Sequence, residues 1–324
     1  MINSWRTFSQ IIEEEILKTP ILGEPIELYQ PIDYILQLGG KRVRPVLCLL
    51  AAQLFEGDKK KALNAAIGVE IFHNFTLVHD DIMDEAPLRR GKPTVHQKWN
   101  RDIAILSGDV MLVKAYEKLI ESEPRNLSLL LNLFNQTAIQ VCEGQQFDMN
   151  FEKRTDVTLA EYLKMIELKT AVLLACSLKI GALVSGANEQ EAALIYEFGK
   201  NLGIAFQIQD DYLDAYGDPE KFGKRIGGDI ISNKKTFLLL SAIENATLDE
   251  KSAIERLTQN QNSEEEKVQQ MLNLYNKLGI PEKSKVRMNE YFDLCTSSLN
   301  RIERKEELKA PLLDLANTLM ERNN

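Results

Sequence analysis

Two clusters of aspartates are the residues in this chain best suited to hold a metal ion. They occupy residues 80–84 (DDIMD) and 210–214 (DDYLD), and each fits the pattern D-D-x-x-D. In a helix the first and last aspartates of each cluster share one face, where like charges repel by a few tenths of a kcal/mol. Mg²⁺ relieves such repulsion, because it takes one or two carboxylates, keeps several waters and completes its shell with phosphate oxygens. The two clusters therefore predict a magnesium site for a phosphorylated substrate.

The segments before the two clusters distinguish a metal site from a pair of solvated helix ends. Residues 72–79 (FHNFTLVH) and 202–209 (LGIAFQIQ) are too apolar for a surface helix. A single D-D-x-x-D is typical of a solvated helix end. Two copies behind apolar segments favour carboxylates that face each other across a cavity in a helix bundle.

Basic residues accompany both acidic clusters. Residues 40–45 (GKRVRP) combine Lys and Arg with the backbone N–H groups of a helix start, and residues 89–92 (RRGK) follow the first cluster. Lys224, Lys234 and Lys235 follow the second. Guanidinium groups bind phosphate with two parallel hydrogen bonds, so metals with flanking cations predict a diphosphate. The sequence has no P-loop and no G-x-G-x-x-G, which disfavours nucleotide hydrolysis.

Helical periodicity dominates the segments that must position these groups. Apolar residues recur at three- and four-residue intervals in residues 43–56, 62–84, 103–120, 126–142, 158–184 and 189–216. No two-residue alternation and no hairpin dipeptide indicates a sheet. Residues 246–285 are polar and predict peripheral helices. No linker separates regions of different composition, so we expect residues 1–324 to form a single large all-α domain, an antiparallel helix bundle.

Composition excludes several classes of protein. The chain has 324 residues, 44% of them hydrophobic, and its 39 basic and 48 acidic residues give a net charge of −9. These values disfavour disorder and nucleic-acid binding. No apolar run reaches the length of about 18 residues that a transmembrane helix requires. The four cysteines form no CxxC pair and predict buried free thiols. The amphipathic, acidic N-terminal segment is unlike a targeting peptide, which predicts a cytoplasmic protein.

Taken together, the motifs resemble a known family. LVHDDIMDEAPLRRGKPTVH and FQIQDDYLDAYGD, preceded by GGKRVRP and followed by GKRIGGDI, resemble the trans-type polyprenyl (isoprenyl) diphosphate synthases. The resemblance implies the isoprenoid synthase fold, in which helices surround a deep central cavity, and a homodimer. It also implies head-to-tail condensation of isopentenyl diphosphate with an allylic diphosphate, releasing diphosphate, with three Mg²⁺ per active site.

The resemblance also implies roles for individual residues. The direct Mg²⁺ ligands are Asp80, Asp84 and Asp210, and their supporting carboxylates are Asp81, Asp211 and Asp214. The isopentenyl diphosphate site comprises Lys41, Arg44, His73 and Arg90. The allylic diphosphate site comprises Arg89, Lys169, Thr170, Gln207, Lys224 and Lys234, and the dipoles of Lys169, Thr170 and Gln207 also stabilise the allylic cation. Gln145 and Asp148 match a Gln-x-x-Asp near the metals. GKRIGGDI is one residue longer than the shortest family versions of this loop, which leaves Lys234 and Lys235 both open.

Single residues in these sets have a second interpretation from their surroundings alone. His73 lies on an apolar helix and fits an ordinary buried histidine, although its position before Asp80 favours a functional one. Lys169 lies inside a long apolar helix, where an unpaired lysine is costly. A diphosphate contact explains that lysine better than chance.

Product length follows from the helix that carries Asp80. In the family, bulky residues four or five positions before the first aspartate form a floor for the prenyl tail. Those positions hold Thr76 and Phe75, with Phe72 further back. This pattern resembles short-chain synthases and favours a C20 over a C15 product. The alternative is that Phe75 is ordinary core packing.

Three other functions are compatible with part of this pattern. A terpene cyclase shares the first motif and the fold, but its second metal motif would be different in kind. A catalytically silent subunit of a heteromeric synthase tends to lose one aspartate motif, and here both are whole. A metal-dependent phosphohydrolase would need a water-activating histidine cluster, which this sequence lacks.

Overall fold

The computed structural model describes residues 2–218, 226–259 and 263–321, and these residues are predominantly helical. The helices are α1 (Trp5–Lys18), α2 (Ile26–Gln37), α3 (Val43–Leu54), α4 (Lys59–Met83), α5 (Val95–Lys98), α6 (Arg101–Glu121), α7 (Leu127–Lys153), α8 (Leu159–Ile166), α9 (Val172–Val184), α10 (Glu189–Tyr216), α11 (Gly228–Ile231), α12 (Phe237–Asn245), α13 (Leu248–Gln259), α14 (Glu264–Lys277), α15 (Ile280–Asn300) and α16 (Glu306–Met320). A π-helix, Glu167–Ala171, joins α8 to α9. The predicted all-α fold is confirmed.

Polar side chains cap the N-terminal ends of several of these helices. Asp58 caps α4 by accepting hydrogen bonds from the backbone N–H groups of Lys60 and Lys61. Thr158 and Glu161 form a reciprocal capping box at the start of α8. Such caps satisfy backbone donors that have no partner within the helix.

The π-helix is the main departure from the expected helix over residues 158–184. Here α7 and the π-helix are in close contact. A Cβ on Gly144 of α7 would lie 2.3 Å from the backbone nitrogen of Lys169. A glycine is therefore required at that position. Single-turn π segments inside α-helices concentrate at functional sites, and this one carries Lys169 and Thr170.

A short hairpin departs from the expectation that the chain has no strand pairing. Strands β1 (Leu88–Arg89) and β2 (Lys92–Pro93) pair antiparallel. The two residues between them, Arg90 and Gly91, have φ angles of 53° and 72°, which fits a type I′ turn. The strands are too short to show alternation, and Arg-Gly is not a typical hairpin dipeptide, so no sequence pattern indicates this turn.

The chain divides into two compact units, each built from separated segments. Unit 1 comprises Met1–Asn135, Cys176–Tyr196 and Ile302–Leu315, and unit 2 comprises Gln136–Ala175, Glu197–Arg301 and Ala316–Asn324. In unit 1, α3 is buried from Pro45 to Ala52, and a Cβ on Gly181 would lie 2.1 Å from the carbonyl oxygen of Cys48. In unit 2, buried side chains of α8, α10 and α12 form one core. The single domain over residues 1–324 stays a prediction.

The cysteine prediction holds for three residues and is wrong for one. Cys48, Cys176 and Cys295 are buried free thiols, whereas Cys142 is exposed. Cys142 lies on a part of α7 whose neighbour Val141 is buried, so the helix turns the thiol to the other face. Among the described helices, none combines the length and the apolar character that a membrane-spanning helix requires.

Candidate active site

The first aspartate cluster lies at the C-terminal end of α4, and its three carboxylates have different surroundings. Asp81 is buried, and the Arg89 guanidinium donates to both of its oxygens, Nε to Oδ2 at 2.8 Å and the second nitrogen to Oδ1 at 2.7 Å. Asp80 is half-buried and Asp84, which ends the helix, is exposed. The outer two carboxylates are therefore accessible to a ligand, while the middle one fixes Arg89.

A cluster of cations surrounds His73 in the same unit. An Arg44 terminal nitrogen donates to His73 Nε2 at 3.0 Å. Burial, followed by the charges of Arg44 and Arg90, lowers the pKa of His73 well below its usual value. His73 is therefore neutral, and because Arg44 can only donate, Nε2 is the acceptor and the ring proton lies on Nδ1.

The guanidinium of Arg44 has a hydrogen-bond donor that is not satisfied. Its Nε is buried without a hydrogen-bond partner. Burial lowers the pKa of this guanidinium to about 10, although the carboxylates of Glu70 and Asp80 act in the opposite direction. A buried cation with an unsatisfied donor is costly unless an anion binds it.

The hairpin places a further cation beside this cluster. A Cβ on Gly40 would lie 2.6 Å from the Arg90 guanidinium carbon, so Arg90 packs on the bare backbone of Gly40. The hydroxyl of Tyr34 donates to the Pro93 carbonyl at 2.8 Å and anchors the second strand to α2. Lys41, the residue after Gly40, is exposed. Three of the predicted isopentenyl diphosphate ligands thus lie close together, with Lys41 at the edge.

The second aspartate cluster ends α10, and its middle carboxylate is again held by the protein. Asp211 Oδ2 accepts a hydrogen bond from the hydroxyl of buried Tyr162 and another from the Phe237 backbone N–H at 2.8 Å. Burial raises the pKa of Asp211 to about 7. Asp210 is half-buried. In both clusters the middle aspartate accepts hydrogen bonds from other groups of the protein.

Asp214 connects this cluster to Asp229, which lies in the next described stretch of the chain. Its Oδ2 accepts from the Asp229 backbone N–H at 2.9 Å, and Asp229 Oδ1 lies 3.9 Å from Lys234 Nζ. Burial alone would lower the pKa of Lys234, but the carboxylates of Asp229 and Asp211 raise it above its usual value. This contact favours Lys234 over Lys235 as the diphosphate ligand. Lys224 lies outside the described residues.

The π-helix presents its polar residues to neighbours in unit 2. Lys169 Nζ lies 2.6 Å from Asp148 Oδ2, and the Thr170 hydroxyl donates to Gln207 Oε1 at 3.3 Å. Gln207 is also 3.4 Å from Asp211, and the side-chain oxygen of Gln145 is buried without a partner. Gln207 therefore contacts the second aspartate cluster and connects it to Thr170, while Lys169 pairs with Asp148 in the same unit.

The predicted chain-length residues belong to an aromatic cluster in unit 1. Phe75 is half-buried, with ring centroids 5.6 Å from Phe72 and 4.8 Å from His79. Phe72 is buried and makes an edge contact with Phe134 at 4.9 Å. The Thr76 hydroxyl donates to the His73 carbonyl at 2.7 Å, as a helical threonine commonly does. Of the two phenylalanines Phe72 and Phe75, Phe75 is thus the more accessible.

Sequence reasoning missed three participants in these contacts. Tyr162 contacts Asp211 and Asp229 contacts Asp214, while Arg42 pairs with Glu70 on the helix that carries His73. Asp229 had a signal in the sequence, since it lies in GKRIGGDI. Tyr162 and Arg42 are buried, and only the fold shows what they contact.

The chain is similar to known proteins in both sequence and structure. The sequence profile of the family described as polyprenyl synthetase matches residues 25–275. A geranylgeranyl diphosphate synthase of Sulfolobus acidocaldarius is 36% identical, over 94% of this chain and 94% of its own. The crystal structure of a geranylgeranyl pyrophosphate synthase is similar with a TM-score of 0.94 and 43% identity, covering 100% of both chains. A geranylgeranyl pyrophosphate synthase from Corynebacterium glutamicum, complexed with isoprenyl diphosphate and magnesium, is similar with a TM-score of 0.85 and 25% identity, covering 99% of this chain and 100% of its own.

Proposed function

This chain belongs to the polyprenyl synthetase family and is a prenyltransferase, and we propose that it joins isopentenyl diphosphate head to tail to an allylic diphosphate. The observation that carries the proposal is Arg44, whose buried Nε has no partner in a cluster of cations. An anionic substrate would satisfy that donor. The geranylgeranyl diphosphate synthases among its relatives support a C20 product.

Mg²⁺ is the metal that the donor set fits. The carboxylate oxygens of Asp80, Asp84 and Asp210 are hard ligands, and none of these three residues is fully buried. Among the residues that the structure describes, no three acidic, histidine or cysteine side chains are grouped so as to hold a metal ion. Mg²⁺ needs only one or two carboxylates when substrate phosphates complete its shell. Three bound ions would neutralise the allylic diphosphate and stabilise the charge that develops on it.

The chain's own residues then divide between the two substrates. Lys41, Arg44 and Arg90 bind isopentenyl diphosphate, and neutral His73 keeps the Arg44 guanidinium oriented. Lys169, Lys224, Lys234 and Arg89 bind the allylic diphosphate, with Gln145 and Asp148 beside the metal ligands. The oxygens of Lys169, Thr170 and Gln207 stabilise the allylic cation through their dipoles, while apolar side chains such as Phe75 exclude water. The released diphosphate accepts the proton that leaves after the new bond forms.

A product assay tests the reaction class. The purified protein is incubated with Mg²⁺, labelled isopentenyl diphosphate and dimethylallyl, geranyl or farnesyl diphosphate, and the products are separated by chain length. We expect prenyl diphosphates up to C20. A cyclic hydrocarbon would indicate a terpene cyclase, phosphate alone a phosphohydrolase, and no product a silent subunit. Each of these three outcomes contradicts the proposal.

Single substitutions test the division of the two diphosphate sites. Arg90→Ala should mainly raise KM for isopentenyl diphosphate, and Lys169→Ala mainly KM for the allylic substrate. Each loses a charge-assisted hydrogen bond of roughly 1.5–3 kcal/mol, which corresponds to about 10- to 150-fold. Lys164→Ala is the matched control, since Lys164 lies on α8 and its side chain, paired with Glu167, is 55% exposed. Equal effects of both substitutions on both substrates would contradict this division.

An apolar strip on α6 supports the expected homodimer. Leu106, Val113 and Ile120 are spaced by seven residues and are 57%, 58% and 49% exposed. Exposed apolar rows of this kind mark protein interfaces, and a twofold axis would pair the strip with itself.

A charge in the strip tests the dimer. Val113→Lys should convert a particle of twice 36.8 kDa into a monomer in sedimentation or light scattering, because an unpaired lysine is costly in an apolar interface. Leu294→Lys on α15 is the control, since Leu294 is 54% exposed and lies on another helix. A monomeric wild-type protein, or a Val113→Lys variant that remains dimeric, would contradict the proposal.

A further inference from the structure

Arg42 is an unusual residue within the basic segment that precedes α3. Its neighbours Lys41 and Arg44 are predicted substrate ligands, whereas Arg42 itself is 3% exposed. Its φ and ψ angles are 47° and 34°, so this residue adopts the left-handed conformation. That conformation is uncommon for a residue other than glycine and persists only where the surroundings enforce it. A buried charge and an unfavourable backbone coincide here.

The guanidinium of Arg42 connects three parts of unit 1. Its Nε donates to Glu13 Oε1 on α1 at 2.8 Å. One terminal nitrogen donates to Glu70 Oε1 on α4 at 2.5 Å, and the other to the Leu36 carbonyl in α2 at 2.5 Å. The side chains of Arg42 and Glu70 are 0% and 2% exposed. Only a planar group with donors in several directions can make all three contacts.

The same network reaches the residues around His73. Asn74, the next residue on α4, donates from its amide to Glu70 Oε1 at 2.8 Å. Gly40, two residues before Arg42, supplies the surface on which the Arg90 guanidinium packs. Arg44, two residues after Arg42, donates to His73. Residues 40–44 therefore include Lys41 and Arg44, contact Arg90 at Gly40, and reach His73 through the Arg44 side chain.

Electrostatics also favours a positioning role over direct binding. Arg42 already has two carboxylate partners, Glu13 and Glu70, so little of its charge remains for a substrate. Those carboxylates also reduce the repulsion between Arg42 and the nearby Arg44 and Arg90. A buried ion pair is by itself weak evidence for stability, because desolvation offsets much of the attraction. Stability alone therefore does not explain why a charged residue occupies position 42. The need to hold the neighbouring substrate ligands in place does explain it.

We propose that Arg42 is a positioning residue for isopentenyl diphosphate: its guanidinium, held by Glu13, Glu70 and the Leu36 carbonyl, fixes residues 40–44 so that Lys41, Arg44 and Arg90 bind one anion. Arg42 itself does not touch the substrate. This inference rests on the proposed function.

The test compares Arg42→Met, Arg42→Lys and the wild-type enzyme. We expect KM for isopentenyl diphosphate to rise about 10-fold or more in both variants, while KM for the allylic substrate and kcat stay close to wild type. Arg42→Lys keeps the charge but not the planar fork, so it separates geometry from charge. Arg304→Met is the matched control, because Arg304 pairs with Glu191 in the same unit and packs on Phe55, at the far end of α3.

Three outcomes would overturn the inference. A lower melting temperature with unchanged KM for isopentenyl diphosphate means that Arg42 is only structural. Wild-type behaviour of Arg42→Lys beside a defective Arg42→Met means that charge alone matters. Equal rises of both KM values mean a general distortion. If Arg42→Met does not fold, Glu13→Gln replaces it, because Glu13 is 35% exposed and its loss leaves no buried charge unpaired.

A binding measurement separates this inference from the proposed function. Isopentenyl diphosphate with Mg²⁺ should raise the melting temperature of the wild-type enzyme, since ligand binding stabilises the folded state. If the wild type neither shifts nor turns over, the proposed function fails. If the wild type shifts and Arg42→Met shifts equally at every concentration, only the role of Arg42 fails.

Discussion

Replacing Asp80 or Asp210 with alanine will lower turnover by several orders of magnitude while the helical fold survives. Each residue is a predicted direct ligand of Mg²⁺, and we expect the carboxylates of one cluster alone to be too few for the three ions proposed. Neither side chain is fully buried, so its loss leaves no large cavity. Steady-state turnover at saturating Mg²⁺, with circular dichroism as the folding check, measures the effect.

The controls for this experiment come from the same chain. Asp249→Ala on α13 removes an exposed carboxylate distant in sequence from both clusters and should leave turnover unchanged. Without Mg²⁺, the Asp80 and Asp210 variants should melt at the same or a higher temperature than the wild type, because the substitution removes repulsion between carboxylates. Near-normal turnover in either variant, with unchanged helical content, would contradict the metal assignment.

Replacing Phe75 with alanine will lengthen the product by one or more C5 units. Phe75 is the half-buried member of the aromatic cluster, one turn before the first aspartate cluster. Removing its ring opens space next to Phe72, which stays packed against Phe134. Product profiles of the wild type and Phe75→Ala with labelled isopentenyl diphosphate, resolved by chain length, measure the change.

The alternative for Phe75 predicts a different result. If its ring is only core packing, Phe75→Ala should cost about 3–5 kcal/mol of stability and leave the product distribution alone. Leu77→Ala on the same helix, also half-buried, is a matched control for a general loss of packing. An unchanged distribution in Phe75→Ala would reject the floor, and a wild-type product beyond C25 would reject a short-chain enzyme.

Reaction class and fold were predictable because both depend on patterns that are local in the sequence. The two D-D-x-x-D clusters and the basic segments after them are short motifs, and helical periodicity identifies apolar helices directly. The expected helix over residues 189–216 is observed as α10, Glu189–Tyr216. The comparisons confirm family membership and the prenyltransferase activity, while the roles of single site residues stay predictions.

Features that depend on contacts between distant segments were not predictable. The π-helix lies where Gly144 lets α7 approach Lys169. The spacing of apolar residues in the sequence does not reveal that contact. The pairing of Asp211 with Tyr162 joins residues on different helices. Cys142 was expected to be buried because its segment is apolar, yet its own face of α7 is exposed. Burial depends on which face a neighbour covers, and the sequence alone does not state it.

In the hairpin that holds Arg90, the residue that would favour thermal stability differs from the one that the proposed activity uses. Its first turn position requires a positive φ, which asparagine, aspartate or glycine adopts at lower cost than arginine. A selection for heat resistance alone would therefore favour an Asn-Gly turn here and remove a cation that we propose binds diphosphate. Engineering this enzyme for durability should leave Arg90 untouched and seek its gains elsewhere, because functional positions often keep residues that are not the most stable choice.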